Sequence, residues 1–430
     1  MIKGQCSQWG QIEAGVPQGS VLGPLLFLIY INDLADVVDC KIKMFADDTC
    51  LYITVDNANE LENAVQGAED MNRNLSQVYE WSKKWLVTFN PSKTKSMVIS
   101  NKKAFHPDVY FCDTVLENVH KHKHLGVTVN KKLDWSDHVN DILANASKML
   151  DVTRKLKYRL DRTTLDIIYQ SFIHPKLEYA CQIWDDCYDR DANKLENFQL
   201  AAARVVTGAK KGTSHQKLYD EVSWPTLHER RKNVKLLHMH RIVNRKAPDY
   251  LCELIPTAPK RNMRTRSEDI RNIFCRTTKF SRSFIPDCIS LWNNLDVDVR
   301  KIEDIDKFKK TIVKKMERSE LFCYGERIYN VVHAQMRLHC SDLKADLKAL
   351  HVIDDAMCIC NTGVEDCEHY FLYCPLYFTY RQELIISIQK ICTNYDIDVI
   401  LYGDKTLPIE KNKELFNAVH KYIMLSERFK

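Results

Sequence analysis

Two adjacent carboxylates, Asp47 and Asp48, are the residues in this sequence whose types and spacing most clearly suggest chemistry. They follow the alternating run KIKMF at 41–45 and precede CLYI at 50–53, a pattern that predicts a β-hairpin with the acidic pair at its turn. The Gly/Pro-rich run GVPQGSVLGP at 15–24 comes earlier and opens a helix-like segment. Such an arrangement is typical of two-metal nucleotidyl transfer. Taken alone, an Ala-Asp-Asp sequence is more simply a turn, because Asp favours turns.

Three thiols and an imidazole near the end of the sequence form a second candidate site. Cys358, Cys360, His369 and Cys374 are the types of ligand that hold zinc in a tetrahedral site. One residue separates the first pair instead of the usual two to four, and Cys367 is an alternative ligand. The competing interpretation is a set of free cysteines in a small apolar core.

The composition describes folded, helix-rich material in a chain long enough for two to four domains. Its 430 residues are 45% hydrophobic with 12 Gly and 12 Pro. The N-terminus is polar and has no signal-peptide pattern, and the longest apolar run, at 25–31, is too short to span a bilayer. We therefore expect a reducing compartment, nucleus and cytoplasm, with no membrane partner and no disulfide.

The elements that must position the acidic pair are two helices, a hairpin and a strand. The pattern predicts a helix at 21–34, the hairpin, a helix from residue 58 with a capping box formed by Asn57 and Glu60, and a strand at 96–99. This order is most of a ferredoxin-like sheet, without the strand expected before the first helix, and we expect a central sheet edge to be unpaired. Helices are predicted at 142–156, 165–179 and 195–206, with connectors at 210–214 and 256–265.

The charge is distributed unevenly. The 62 Lys and Arg exceed the 57 Asp and Glu by five. Between Arg204 and Arg282, however, nineteen basic residues face seven acidic ones. The excess indicates a polyanion partner, although a solvated helix face gives the same count. We expect Arg230, Arg231 and Lys232, with basic residues at 261–271, to contact phosphates.

Four motifs in order carry a resemblance to a known family. They are GVPQGS at 15–20, FADD at 45–48, NPSKT at 90–94 and HLGV at 124–127. Together they resemble the reverse transcriptase of a non-LTR (LINE-like) retrotransposon, in a C-terminal portion that starts within the palm domain. The resemblance extends more loosely through LEYA at 177–180 and Trp184-Asp185, which such elements carry in the thumb region.

The resemblance implies an α+β fold made of a partial ferredoxin-like polymerase palm, a helical thumb and a mostly helical C-terminal region with a small Cys/His knuckle. The corresponding boundaries are 1–130 for the palm with its primer-grip hairpin, 131–215 for the thumb-like region, 216–330 for a basic helical connecting region and 331–430 for the Cys/His region.

The resemblance also implies site residues. Asp47 and Asp48 would hold two Mg²⁺ ions, and Lys93 would approach the triphosphate, with an ordinary surface lysine as the alternative. Nucleotide and template would lie on Gln18, Gly19 and Ser20, where Ser20 can also cap a helix. Leu125 and Gly126 would form a primer grip, and a purely structural hairpin explains them as well.

The implied function is RNA-directed DNA polymerase, with an RNA template, a DNA primer or target, and deoxynucleoside triphosphates. We expect the strand with the first catalytic aspartate, and also the fingers, to be missing from this sequence, and Asp33 and Asp36 fall too late in it to replace that aspartate. We therefore expect no polymerisation by this chain alone and a need for a complementing N-terminal polymerase portion. The alternative is a non-catalytic nucleic-acid-binding remnant of a retroelement. A zinc knuckle would grip nucleic acid and stack bases on Tyr370, Phe371 and Tyr373.

Overall fold

The computed structural model describes residues 19–256, 269–313, 320–393 and 395–429 of the chain. It divides into two compact units, Met1–Asp134 (unit 1) and Trp135–Lys430 (unit 2). The four-part division expected from the sequence stays a prediction. In the described ranges we find no helix with the length and apolar character needed to cross a membrane.

Unit 1 contains both helices and strands, and unit 2 is mainly helical. The elements of unit 1 are α1 (Leu22–Ile31), α2 (Leu61–Trp85), β1 (Lys41–Phe45), β2 (Asp48–Tyr52), β3 (Lys95–Ser96), β4 (Tyr110–Phe111), β5 (Thr114–Val115), β6 (Glu117–Asn118), β7 (Lys121–His124) and β8 (Val127–Asn130). The helices of unit 2 are α3 (Ser136–Leu156), α4 (Arg162–Ile168), α5 (His174–Glu178), α6 (Cys181–Trp184), α7 (Asp189–Thr207), α8 (His215–Val222), α9 (Leu227–Val243), α10 (Asp249–Cys252), α11 (Thr278–Arg282), α12 (Phe284–Asn293), α13 (Val297–Arg300), α14 (Ile305–Ile312), α15 (Arg327–Arg337), α16 (Lys344–Ala349), α17 (Phe378–Gln389), α18 (Ile397–Tyr402) and α19 (Ile409–Ser426).

The two helices that the apolar pattern predicts in unit 1 are present. Helix α1 continues as a 3₁₀ turn, Asn32–Val37, close to the predicted end at residue 34. Helix α2 is long and amphipathic, and its buried face contributes Leu75, Val78 and Trp81 to the core of the unit. The predicted capping box is wrong. Asn57 lies at positive φ and accepts from the Glu60 amide through its backbone carbonyl, so no side chain caps the helix start.

The strands form four separate two-stranded ladders, β1–β2, β3–β6, β4–β5 and β7–β8. Except for β3–β6, whose strands are parallel, they are antiparallel. The predicted strand at 96–99 is reduced to Lys95–Ser96, and within the described residues no ladder joins the hairpin to it. In a ferredoxin-like sheet these two elements meet only through an intervening strand, which the described part of unit 1 lacks. The α+β class holds, whereas the continuous palm sheet is absent from the described residues.

In unit 2 the sequence runs LEYA and Trp184-Asp185 anchor helix α9. Glu178 binds the Arg230 guanidinium through both carboxylate oxygens, at 2.5 and 3.0 Å. Asp185 accepts from Arg231 at 2.5 Å and also pairs with Lys235. Glu178 is the last residue of α5 and Asp185 directly follows α6, so the two acids hold α9 at Arg230 and Arg231 and, one turn later, at Lys235. In the structure these two runs hold helix α9 in place through ion pairs.

A buried ion triad connects three further helices of unit 2. Glu221 on α8 binds Arg162 on α4 at 2.6 Å and Arg337 on α15 at 2.7 and 3.0 Å. All three side chains are buried. Arg327 adds a second connection, because its guanidinium donates to the Val205 and Val206 carbonyls at the end of α7. These contacts tie the C-terminal helices to the earlier ones within one unit.

Candidate functional site

Asp47 and Asp48 lie at the tip of the β1–β2 hairpin, as predicted. Phe45 pairs with Asp48 across a two-residue turn made of Ala46 and Asp47. Ala46 adopts φ +52°, which costs a non-glycine residue of order 1–2 kcal/mol. Both carboxylates are exposed, and within the described ranges neither side chain has a hydrogen-bond or ion-pair partner. Two adjacent, unpaired oxygen ligands are therefore presented to solvent.

Helix α2 positions the hairpin through a polar side chain. The Asn74 carbonyl oxygen accepts from the amides of Asp39 and Cys40, at 2.7 and 2.9 Å, just before β1. Its amide nitrogen donates to the Asp70 carbonyl at 2.8 Å, so the whole side chain is used. About two turns further along the helix, the Trp81 indole donates to Asp33 at 3.0 Å. Asp33 is thus held by a buried tryptophan, and its inability to replace a metal ligand stays a prediction.

The glycine loop is only partly described. Gln18 lies outside the described residues. Gly19 has φ +82°, a conformation that L side chains rarely adopt, and an added Cβ would meet nothing within 4 Å. The Ser20 hydroxyl accepts from the Gly23 amide at 3.1 Å, so Ser20 supports the start of α1. The structural role considered for Ser20 is present, and its contact with template or nucleotide stays a prediction.

Lys93 and the Leu125–Gly126 turn lie on other elements. Lys93 is exposed in the turn that follows α2, where its amide donates to the Asn90 carbonyl at 3.1 Å. Leu125 and Gly126 connect β7 to β8 with φ of +46° and +82°, as in a type I′ hairpin turn. The predicted hairpin is therefore confirmed as a structure. No ladder links it, or the strand after Lys93, to the Asp47–Asp48 hairpin in the described residues.

The Cys/His residues come together as predicted. The ligand atoms of Cys358, Cys360, His369 and Cys374 all lie within 4.8 Å of one another. The Sγ atoms of Cys358 and Cys374 are 3.7 Å apart, close to the separation of about 3.8 Å that two zinc-bound thiolates have in a tetrahedral site. Cys360 Sγ is 3.2 Å from His369 Nε2. These four residues could hold a metal ion, and the short spacing of the first pair does not prevent it.

Two tight turns create this proximity. Residues 358–363 close a loop in which the Cys358 amide donates to the Gly363 carbonyl at 2.9 Å. The π-helical segment His369–Tyr373 then brings Cys374 back, since the Cys374 amide donates to the His369 carbonyl at 2.7 Å. An added Cβ on Gly363 would lie 3.1 Å from His369 Nδ1, so this glycine leaves room for the imidazole. Cys367 is outside the group and packs against the C-terminal core.

The thiols of this group differ in their ionisation. Burial raises the pKa of the Cys374 thiol to about 12. For Cys360, burial acts in the same direction, but hydrogen bonds from Thr362 and contacts with Cys358 and His369 lower the pKa to about 6. A thiolate is the form that binds metal, so Cys360 is prepared as a ligand at neutral pH.

Two corrections concern residues expected to touch nucleic acid. Tyr370 and Phe371 are fully buried in the C-terminal core and offer no stacking surface, whereas Tyr373 is exposed. Arg230 and Arg231 are held by Glu178 and Asp185, so they cannot supply free phosphate contacts. Burial explains the tyrosine and phenylalanine, and pairing with acids distant in sequence explains the two arginines. Neither property is visible in a local sequence window. Basic residues at 261–268 lie outside the described residues.

The basic segment nevertheless keeps a set of exposed cations. Acids from elsewhere neutralise several of its side chains, including Lys210, Lys235 and Arg282. Seven further basic residues are exposed and have neither an ion pair nor a side-chain hydrogen bond in the described part of the chain: Lys211, Lys217, Lys232, Arg241, Arg245, Arg271 and Arg276. Helix α9 also starts with a capping box between Thr226 and Glu229, which the sequence interpretation missed although the T-x-x-E signature is present.

Comparison with known proteins identifies relatives among mobile-element polymerases. Residues 1–129 match the family described as "Reverse transcriptase (RNA-dependent DNA polymerase)". The "Probable RNA-directed DNA polymerase from transposon X-element" of Drosophila melanogaster is 30% identical over 228 residues, covering 50% of this chain and 24% of the relative. The "RNA-directed DNA polymerase from mobile element jockey" of the same species is 25% identical over 256 residues, covering 56% and 27%.

A further relative matches over nearly the whole length of both chains. It is the "Retrovirus-related Pol polyprotein from type-1 retrotransposable element R1 2" of Nasonia vitripennis, 21% identical over 436 residues, or 96% of this chain and 98% of the relative. The chain spans about a quarter of the length of the X-element and jockey polymerases. These matches agree with the sequence motifs and with the acidic pair at the hairpin tip. They show that the chain is related to the reverse transcriptases of non-LTR retrotransposons.

Proposed function

We propose that this chain takes part in RNA-directed DNA synthesis, with Asp47 and Asp48 as its metal-binding carboxylates. The observation that carries the proposal is the acidic pair itself, exposed and unpaired at the tip of a hairpin inside the segment that matches the reverse transcriptase family. RNA template, DNA primer and deoxynucleoside triphosphates would be the substrates, as the names of the relatives indicate for those proteins.

The donor set at the hairpin tip fits Mg²⁺. This ion prefers hard oxygen ligands and is usually bound through one or two carboxylates, with water and substrate phosphate as its other partners. When bound, a pair of such ions activates the attacking hydroxyl and stabilises the leaving group of an in-line displacement. Asp47 and Asp48 would hold the ions, and Ala46 would set the direction of both carboxylates through its left-handed backbone conformation.

The other predicted residues would bind and orient substrate. Gly19, with no side chain and free space around its Cα, would allow template or nucleotide to approach the backbone closely. Lys93, exposed and without an ion pair in the described residues, would contact the triphosphate. Leu125 and Gly126 would hold the primer end on a rigid two-residue turn. Gln18 belongs to the same proposed template and nucleotide site.

We further propose that the described residues do not assemble a complete catalytic site. Among them, the Cys/His group is the one set of three or more metal ligands that lie together, so no third carboxylate joins Asp47 and Asp48. Removing one metal ligand from a two-metal site takes away several kcal/mol of transition-state stabilisation. Synthesis would then need a complementing polymerase portion that supplies a third carboxylate.

Primer extension tests this proposal. Purified chain is incubated with an RNA template, a DNA primer, deoxynucleoside triphosphates and Mg²⁺, with and without a polypeptide that carries the fingers and first palm strand of a relative. We expect synthesis only in the mixture and its loss in Asp47→Asn. Asp56→Asn, an exposed acid in the same unit, is the matched control. Absence of synthesis in every mixture would contradict the proposed catalytic role.

The second candidate function is nucleic-acid binding without catalysis. The seven exposed and unpaired basic residues of the basic segment, 204–282, favour it, because cations of this kind bind phosphates without sequence preference. Fluorescence anisotropy with labelled single-stranded RNA separates the two. Binding that persists in Asp47→Asn while no mixture extends a primer would establish the binding function as the sole activity.

We propose zinc as the metal of the Cys/His group, held by Cys358, Cys360, His369 and Cys374. Three sulfurs and one ring nitrogen within 4.8 Å suit a structural zinc site. Zinc would cross-link the 358–363 loop to the π-helical segment. Elemental analysis of purified protein should give one zinc per chain, lost in Cys360→Ser and kept in Cys367→Ala. Equal zinc content in both variants would exclude this ligand set.

A further inference from the structure

Exposed apolar side chains flank the Cys/His group. Ile359, between the first two ligands, is 71% exposed, and Tyr373, next to the last ligand, is 63% exposed. Leu376 and Phe378 follow within five residues and are also more than half exposed. Because the Sγ atoms of Cys358 and Cys374 are 3.7 Å apart, the two chain segments that carry Ile359 and Tyr373 meet at the Cys/His group.

A bridge extends this surface on the other side of the loop. Met357 and Val364 pair as an antiparallel bridge, which places their side chains next to each other on the same side, and both are exposed. We call Met357, Ile359, Val364, Tyr373, Leu376 and Phe378 the knuckle patch. Isolated exposed apolar residues are normal on proteins, but a grouped set on a rigid turn marks an interaction site.

The charge around the knuckle patch is negative. Residues 354–380 contain five carboxylates and no Lys or Arg. Of these carboxylates, Asp354, Asp355, Asp366 and Glu368 are exposed. If zinc binds as proposed, three thiolates and a divalent ion add one further net negative charge. Phosphate groups would therefore meet repulsion on this side of the molecule.

The cations that the fold brings close to this segment are already engaged. Arg428 pairs with the buried Glu365 at 2.7 and 2.8 Å. Arg381 is buried and donates to the Cys374 carbonyl at 2.8 Å. Lys344 donates to the Met357 carbonyl at 2.8 Å. Each of these three side chains supports the segment, and none of them pairs with one of its four exposed carboxylates.

From this combination we infer that the knuckle patch is a docking surface for a cationic, amphipathic segment of a protein. Such a segment would bury its apolar side chains on Ile359, Tyr373 and Phe378 while its Lys or Arg side chains face the exposed carboxylates. Nucleic acid is disfavoured, because its affinity comes largely from phosphate contacts with Lys and Arg, which the rim lacks. The inference uses the proposed zinc knuckle as a scaffold, but the patch and the carboxylates are present in the described structure without metal.

Fluorescence anisotropy with the full chain tests this inference. The probe is a synthetic peptide of leucine and lysine arranged as an amphipathic helix; the comparison probes are a scrambled peptide of the same composition and a single-stranded RNA oligonucleotide. We expect the amphipathic peptide to bind more tightly than the scrambled one. The double variant Ile359→Ser/Phe378→Ser should weaken this binding roughly tenfold. Phe274→Ser, at a still more exposed aromatic residue elsewhere in the unit, should leave it unchanged.

Charge reversal and metal content complete the test. Glu368→Lys should weaken peptide binding, because Glu368 is exposed and its carboxylate would no longer attract the lysines of the peptide. Among the described residues its side chain has one hydrogen bond, accepted from the Tyr373 hydroxyl at 3.4 Å, so the change should disturb the fold little. Unchanged peptide binding in both patch variants, or a selective loss of RNA binding in them, would overturn the inference. Zinc is measured in every sample: zinc-free wild-type protein that still binds the peptide would refute the proposed metal and leave the docking surface intact.

Discussion

At the scale of single residues, a buried charged triad joins three helices of unit 2. Glu221 lies between the guanidinium groups of Arg162 and Arg337, and all three are almost completely buried. Burial raises the pKa of the Glu221 carboxyl, and the two guanidinium groups outweigh this, so that the pKa is lowered. The carboxylate is the form that the fold requires.

We expect Glu221→Gln to destabilise the protein by about 3–5 kcal/mol, since it leaves two buried cations without their counter-charge. Urea unfolding followed by tryptophan fluorescence measures the loss. Asp220→Asn, its exposed neighbour on the same helix, is the control and should change the midpoint little. Equal midpoints for the two variants would show that the triad does not hold the helices together.

Two buried histidines make unit 2 sensitive to acid. His333 Nε2 donates to the Ile400 carbonyl at 3.0 Å, so in the neutral ring Nδ1 accepts from His420 Nε2, at 3.3 Å. Burial and the nearby Arg337 cation lower the pKa of His420 from 6.5 to about 4, and burial with Arg337 and His420 lowers that of His333.

Because the unfolded chain binds more protons than the folded one between these values, stability should fall as pH drops from about 6.5 to about 4. Unfolding midpoints across this range measure the slope. We expect a shallower slope in His420→Gln and an unchanged slope in His228→Gln, an exposed histidine of α9. A slope that is the same in all three proteins would contradict the assignment.

At the scale of elements, the hairpin with the acidic pair depends on helix α2. Asn74 satisfies two backbone amides before β1 and is itself buried. The hairpin has no further ladder in the described residues, so this contact is its main polar anchor.

Asn74→Ala should therefore loosen the hairpin, because two amide donors lose their partner, at a cost of about 1–3 kcal/mol. Hydrogen exchange followed by mass spectrometry should show faster exchange in peptides covering 39–52. Asn63→Ala is the matched control, since the side chain of this partly exposed asparagine of α2 has one hydrogen bond among the described residues, to Glu60 at 3.0 Å. Exchange that stays as slow as in the control would refute the anchoring role.

Local sequence patterns predicted which helices, strands and turns form better than they predicted which strands and which charged side chains pair. The alternation at 41–45 and the Leu125–Gly126 turn gave hairpins that the structure contains, since turn geometry is a local property. The Cys/His group was also visible in the spacing of its ligands. Arg230 and Arg231 were misread as phosphate contacts, because their partners lie 52 and 46 residues away. The strand predicted at 96–99 is reduced to Lys95–Ser96 and pairs with β6 instead of the hairpin, since strand pairing is decided by elements distant in sequence.

At the scale of the whole molecule, the net charge of +5 conceals regions of opposite sign. The basic segment, 204–282, carries exposed, unpaired cations, and residues 354–380 are acidic. Polyanions should therefore bind to the former region, through counterion release that depends steeply on salt.

Removing exposed cations should flatten that salt dependence. For the triple variant Lys232→Ala/Arg241→Ala/Arg245→Ala, the slope of log affinity against log salt should fall by about 0.7 per lost contact with single-stranded RNA. Anisotropy titrations at several salt concentrations give the slope. Lys348→Ala/Lys390→Ala, at exposed positions near the C-terminus, should keep the original value. A slope unchanged in the triple variant would place the polyanion site elsewhere.

The Arg162–Glu221–Arg337 triad has a consequence for how such chains can evolve. Its members come from three stretches of sequence far apart, so the C-terminal region cannot be exchanged between relatives as an independent cassette. A transplanted segment with a neutral residue at position 337 would leave an unbalanced charge in the recipient. Recombination within unit 2 should therefore be tolerated only when all three positions are inherited together, and they should vary as a group across full-length relatives.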